Sequence, residues 1–245
     1  MDQFFTAEYN GTPFVMFGWA HLGALAVILL LNLCLYRLRG LSEQTRRRVR
    51  IGLAIILWVN EASYHLWNIY YGLWNVQEHL PLHVCSILIW LTGFMLIFKN
   101  YTIYEFAFFM GIGGAIQALL TPDIGIYGFP HFRFFQTYIS HGLLVTSAVY
   151  MTVVEGFRPT WKSLLKVLLV MNLYMVVIFF FNQLIGSNYL YVAHKPVGPT
   201  LLDMLPAWPW YLLYIEAIGL VVCLLLYLPF AIKDWKNQHK ALLIN

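Results

Sequence analysis

The sequence predicts an all-α integral membrane protein, a single-domain bundle of seven transmembrane helices with its N-terminus outside and its C-terminus in the cytoplasm. Three observations carry this reading. The 245 residues are 60% hydrophobic and only 11% charged, far from the balance of a soluble domain. The apolar residues fall into blocks at 14–36, 49–70, 82–98, 103–120, 134–154, 163–184 and 211–232, each close to the ~17–25 residues of a spanning helix. Threading these blocks alternately through a bilayer puts 13 of the 15 Lys and Arg residues on one side. Arg37, Arg39, Arg46, Arg47, Arg48 and Arg50 follow the first block, Lys99 the third, Arg158, Lys162 and Lys166 the fifth, and Lys233, Lys236 and Lys240 the seventh. Only Arg133 and Lys195 fall on the other side, and the positive-inside rule makes that side external. The formal net charge of +4 thus reflects topology and contact with anionic lipid, not nucleic-acid binding.

Residues 1–13 lack a basic n-region, so the first block reads as a membrane helix, not a cleavable signal peptide. That block is aliphatic apart from His21 and Asn32. A lone histidine among apolar residues reads as a packing contact with its nitrogens satisfied. The arginine run after it reads as a solvated cytoplasmic face meeting lipid headgroups. The second block holds Asn60, Glu61, His65 and Asn68. Glu61 and His65 are four apart and share a helix face. Glu61 falls roughly 13 Å from the outer end at 1.5 Å per residue. A carboxylate at such depth is paired, protonated or in a wet cavity; it is either an interhelical clamp or part of a functional site.

The third block opens with His79-Leu-Pro-Leu-His83-Val-Cys85-Ser86. Pro81 suits a first helical turn, which places Cys85 about one turn inside a helix. A thiol near imidazoles at a helix N-terminus has its thiolate form stabilised. Cys34 and Cys223 read instead as small hydrophobes. The three cysteines lie at different depths, too far apart for a disulfide. The fourth block contains Gly111, Gly113 and Gly114, which permit close helix approach.

The external loop 121–133 carries Asp123, His131 and Arg133, and the fifth block follows with Ser140, His141 and Gly142. His141 falls roughly 12 Å deeper than Arg133, near the depth of Cys85 and His65. Gly142 leaves room for a neighbouring chain or a substrate. The last external loop, 186–210, is long and aromatic, with Asn188, His194 and Lys195, and suits a position in the membrane interface. Arg133, Asn188, His194, Lys195 and Asp123 are the candidate substrate-binding residues; for the cations, snorkelling anchors are the plainer alternative.

Leu80-Pro-Leu-His-Val-Cys85, Thr121-Pro-Asp, Ser140-His141 and Asn188-Tyr with Lys195-Pro196 together resemble the bacterial YwaF-like integral membrane family. That family is related to the animal transmembrane protein 164 family, whose members are described as acyltransferases acting on lyso ether phospholipids through a cysteine and a histidine. By motif position the resemblance implies Cys85 and His141. The expected activity is transfer of a fatty acyl chain to or from a (lyso)phospholipid in the cell membrane, with no cofactor and no metal. Cys85 would attack the acyl ester, His141 would take its proton, and a lysolipid hydroxyl would resolve the thioester. First-turn N–H groups or Asn188 are candidate oxyanion donors. His83, or Glu61 with His65, are candidates to orient His141.

Three other readings compete. A metal-dependent lipid hydrolase would use His79, His83 and Cys85 with His131 or His141, although Pro81 disturbs the helical spacing. A small-solute transporter would line a path with Asn60, Glu61 and Gln117. A noncatalytic scaffold would leave the polar groups at one depth without a purpose.

Overall fold

The computed structural model describes residues 2–196 and 200–244. The side chain of Lys240, and residues 197–199 within the loop 186–210, lie outside that description. Among the described residues there is helix and no strand, and the chain divides into two compact units. The first comprises residues 2–75 and 79–157, the second 76–78 and 158–244.

In the first unit a short helix α1 (Asp2–Phe5) precedes α2 (Trp19–Cys34), which tightens into a 3₁₀ stretch, Leu35–Gly40. The next helix, α3 (Glu43–Tyr70), starts where the Ser42 hydroxyl accepts the Thr45 N–H at 3.3 Å, satisfying one of the donors a helix start leaves open. Then come α4 (Val84–Phe98) and α5 (Tyr101–Phe106). Between them Lys99 adopts a left-handed conformation at φ 53°, and the Asn100 side chain caps α5 through the Ile103 N–H. A π-helical turn, Ala107–Gly111, joins α5 to α6 (Ile112–Leu120) without a break. The long α7 (Phe132–Val153) packs against α2, α3, α4 and α6 and is the axis of this unit.

The second unit holds α8 (Trp161–Ile185) and α9 (Trp210–Ile244). Thr160 and Ser163 form a reciprocal capping box at the start of α8, and Gly186, at φ 67°, ends it in the left-handed region that favours glycine. Beyond it the buried Asn182 side chain accepts from the Ser187 hydroxyl and the Tyr189 N–H and donates to the Tyr189 carbonyl. Arg158 meets Asp234 at 2.7 Å.

Each apolar block read from the sequence overlaps a helical stretch, but α2 starts five residues inside the first block, α3 starts six residues before the second, and α9 runs twelve residues past the seventh. Four stretches are long and apolar enough by themselves to cross a membrane: 19–40, 101–120, 161–185 and 210–237. Helix α4 is apolar but shorter. Helices α3 and α7 carry the polar side chains discussed below, which lowers their hydropathy.

Two expectations need correction. First, α4 begins at Val84 with His83 as its N-cap, so Pro81 belongs to the preceding turn, where the Leu82 N–H bonds the Leu80 carbonyl. Cys85 is therefore the second residue of the helix and not a turn inside it. Second, the arginine run is only partly a solvated face. Arg47 and Arg48 are exposed, but Arg50 is 3% exposed and Arg46 is half-buried. Arg50 Nη1 meets Glu155 Oε1 at 2.5 Å, its Nη2 meets Glu43 at 3.1 Å and its Nε donates to the Leu96 carbonyl. Arg46 donates to Glu43 and to the Val154 carbonyl, and Lys99 Nζ reaches Glu155 Oε2 at 2.6 Å. The hydrogen bond from Arg50, aided by the charges of Lys99 and Arg46, holds the Glu43 carboxyl below the usual carboxylate range. A network across α3, α4 and α7 thus closes one end of the first unit.

Candidate active site

The first unit contains Cys85, His141, His83, His65, Glu61, Arg133 and Asp123; Asn188, His194 and Lys195 belong to the second. Cys85, a half-buried free thiol, takes its position from the first turn of α4. Its sulfur faces Gly114 of α6, where an added Cβ would stand 3.4 Å from Sγ. The glycine-rich face therefore lets α6 approach the thiol. The first N–H groups of a helix have no intrahelical acceptor, so α4 presents open donors beside the sulfur.

His141 is oriented by its own helix. Its Nδ1 lies 2.9 Å from the Thr137 carbonyl, which can only accept. In the neutral ring the proton is therefore on Nδ1 and Nε2 keeps a lone pair, as a general base requires. The orienting group is a backbone carbonyl, not the His83 or Glu61–His65 side chains expected from the sequence.

Glu61 is 3% exposed. Its Oε1 lies 3.7 Å from His65 Nε2, and His65 Nδ1 accepts the Trp74 indole N–H at 3.1 Å. The shared face expected of an i,i+4 pair is thus realised. Glu61 also lies within electrostatic reach of Cys85, His141 and Arg133, so this side chain on α3 sits among residues of α4 and α7. Beside it Asn60 donates to the Ser140 hydroxyl at 2.6 Å and to the Gln136 carbonyl at 3.0 Å. Gln136 also donates to Ser140 and accepts from Arg133. Arg133 stacks on Tyr64, its guanidinium carbon 4.2 Å from the ring centroid, and Trp67 lies at 6.0 Å. Among the described residues no carboxylate is within ion-pairing distance of Arg133, although Asp123, exposed on its loop, acts on it from farther away.

The remaining polar residues have local tasks. His21 Nε2–H donates to the Leu119 carbonyl and Nδ1 accepts the Phe17 N–H, the satisfied packing contact expected of it. His79 Nδ1 accepts the Asn75 N–H, and His131 spends both nitrogens, on the Thr6 carbonyl and the Arg133 N–H. Among the described residues, no three His, Cys, Asp or Glu side chains gather as a metal centre would need. Gln117 is exposed, whereas Glu61 is buried. In the second unit the Asn188 side chain bonds the His194 carbonyl and the Ala193 and His194 N–H groups. Lys195 Nζ donates to the Leu205 carbonyl at 2.7 Å. These two side chains hold their loop in shape.

An apolar cleft of about 530 Å³ runs between α2 and α7, lined among others by Trp19, Gly23, Val27, Phe135 and Gly142. Gly142 also makes room for Ile28, which an added Cβ would meet at 2.9 Å. The cleft is within the ~300–1,000 Å³ typical of small-molecule sites.

The sequence profile of the TMEM164 family matches residues 16–227, most of the chain and all of the site. The protein belongs to the TMEM164 family. Together with the four long apolar helices, membership makes it a multi-pass membrane protein. No curated protein and no solved structure matches the chain.

Proposed function

We propose that this TMEM164 family protein is a phospholipid acyltransferase in the cell membrane, working through a thioester on Cys85 with His141 as base. The observation that carries the reading is the 2.9 Å contact between His141 Nδ1 and the Thr137 carbonyl. With Nδ1–H held by Thr137, Nε2 is left as the proton acceptor, in a polar cluster that shares Glu61 with the thiol. Cys85 Sγ attacks the ester carbonyl of a phospholipid while its proton passes to His141 Nε2. The C–O bond breaks, the lysolipid alkoxide leaves with that proton, and a second lysolipid hydroxyl reverses the sequence to release the thiol. N–H groups of the first turn of α4 are placed to stabilise the oxyanion. Arg133, half-buried on Tyr64, suits a lipid phosphate, and the cleft beside Gly142 suits an acyl chain. Within the family, the motifs around Cys85, Asp123, His141 and Lys195 favour the bacterial YwaF-like branch.

The test is capture of the intermediate. Purified protein incubated with a phospholipid radiolabelled in its acyl chain should acquire label that neutral hydroxylamine removes and that maps to Cys85. Acyl transfer without label on Cys85, abolished by a chelator and restored by zinc, would replace the thioester reading with metal-assisted hydrolysis.

The proposed topology is seven spans with the N-terminus outside, α5, the π-turn and α6 forming one of them. It rests on the 13-to-2 division of basic residues. Reporter fusions should place Arg47 and the C-terminus in the cytoplasm and Lys195 outside. A C-terminus found outside would remove one span from the count.

A further inference from the structure

Residues 2–13 form a strap across one end of α3 and α7, held in an unusual way. Three side chains grip three consecutive carbonyls. Trp67 Nε1–H of α3 donates to Phe5 O at 2.6 Å, His131 Nε2–H donates to Thr6 O at 2.9 Å, and the Tyr127 hydroxyl donates to Ala7 O at 3.0 Å. Phe5 stacks on Phe132 at 4.9 Å, and Gly128 lies so close to the strap that an added Cβ would stand 2.3 Å from the Thr12 carbonyl. The middle latch is fully buried, its ring 4.5 Å from Tyr127 and 4.8 Å from Tyr9.

His131 does a second thing. It is the N-cap of α7, and its Nδ1 accepts the Arg133 N–H at 3.0 Å. With Nε2 bearing the proton shared with Thr6, Nδ1 must stay unprotonated. A proton added there removes the cap bond. It also puts a positive charge at the positive end of the α7 dipole and two residues from the Arg133 guanidinium. We propose that His131 is a pH-sensitive latch, holding the N-terminal strap over the ends of α3 and α7 when neutral and releasing it when the adjoining compartment acidifies.

The other groups facing the latch do not counter that response. From the strap comes Tyr9, from the loop Tyr127, from α3 the neutral Trp67 and from α7 Arg133, which opposes a second cation. Asp123 on the loop and Glu61 on α3 act on Arg133, while no carboxylate is paired with His131 among the described residues. Burial pushes the His131 pKa below its ordinary 6.5. A lowered folded-state value means that the stabilisation is complete above about 6.5 and is lost as pH falls through the folded value. What the strap covers includes Trp67, which stands beside Arg133, so release uncovers the approach to that cation.

Hydrogen–deuterium exchange on the full chain in nanodiscs, corrected for the pH dependence of intrinsic exchange, reads the latch directly. Between pH 7.5 and pH 4.5, protection of residues 2–13 and of the Arg133 amide should fall together by about tenfold or more, while the middle of α7 stays protected. His131→Asn keeps a capping oxygen and an amide donor but cannot titrate, so its protection should not vary with pH. If that variant leaves the strap open at every pH, Tyr127→Phe decides. It removes one latch and spares the histidine, so it should lower protection throughout yet keep the wild-type midpoint. Wild-type protection unchanged over this range, the same pH response in His131→Asn, or a Tyr127→Phe protein with no pH response would each overturn the proposal.

Discussion

Cys85→Ser is expected to lower acyl transfer by at least about a thousandfold, on the scale at which removal of a nucleophile acts. An alcohol near neutral pH is a far weaker nucleophile than a thiol with a base at hand. His141→Ala should cost about 10²–10⁴-fold, the usual contribution of a positioned general base. The two losses should not multiply. If Cys85 and His141 act as one unit, the double variant should be little worse than Cys85→Ser, because the base has nothing left to activate. A lipid-like thiol-reactive probe gives a second readout: it should label Cys85 in native membranes, and His141→Ala should slow the labelling without preventing it. Undiminished turnover in Cys85→Ala, with the protein folded and inserted, would end the thioester reading.

The second large effect is on stability. Glu155→Ala is expected to destabilise the protein by about 3 kcal/mol, because it leaves the buried Arg50 with only the exposed Glu43 as counter-ion. The Glu155 side chain is 1% exposed and contacts Arg50 at 2.5 Å and Lys99 at 2.6 Å. Thermal unfolding in detergent should show a midpoint lowered by on the order of 10 °C. Replacing both Arg50 and Glu155 by methionine should recover much of the loss, since neither charge then remains to be solvated. A single substitution that moves the midpoint by less than a degree would mean that water already reaches this network.

Four of the helices were legible from length and apolarity, because a segment that crosses a membrane must satisfy its own backbone, whereas α4 is short and α3 and α7 carry polar side chains. The shared face of Glu61 and His65 was legible too, since it depends only on helical spacing. What escaped the sequence reading has a common cause. Arg50 finds Leu96 and Glu155 across 46 and 105 residues, and no local pattern marks such partners. The exposed appearance of the arginine run was therefore half misleading. His141 is oriented by a main-chain oxygen, which has no letter in a sequence. The latches on Phe5, Thr6 and Ala7 also close on main-chain oxygens, so the N-terminal segment looked featureless. Among the substrate-binding candidates, Arg133 stacks on Tyr64 and bonds Gln136, whereas the Asn188 and Lys195 side chains bond within their own loop.

The π-helical turn at Ala107–Gly111 fixes the phase of the helix that follows it. An α-helix advances about 100° per residue, so one residue more or fewer rotates everything downstream by that angle. The wide turn absorbs one extra residue, and with it the azimuth of Gly114 relative to Tyr104 and Glu105 is set. Tighten that turn to ordinary α geometry with every residue kept, and the helix would still form at nearly its original length and hydropathy. Gly114 would swing away from the Cys85 sulfur, and a bulkier neighbour would take its place. The clearance around the thiol is thus a matter of angular register, written in the width of the turn at Ala107–Gly111 as much as in the glycine itself.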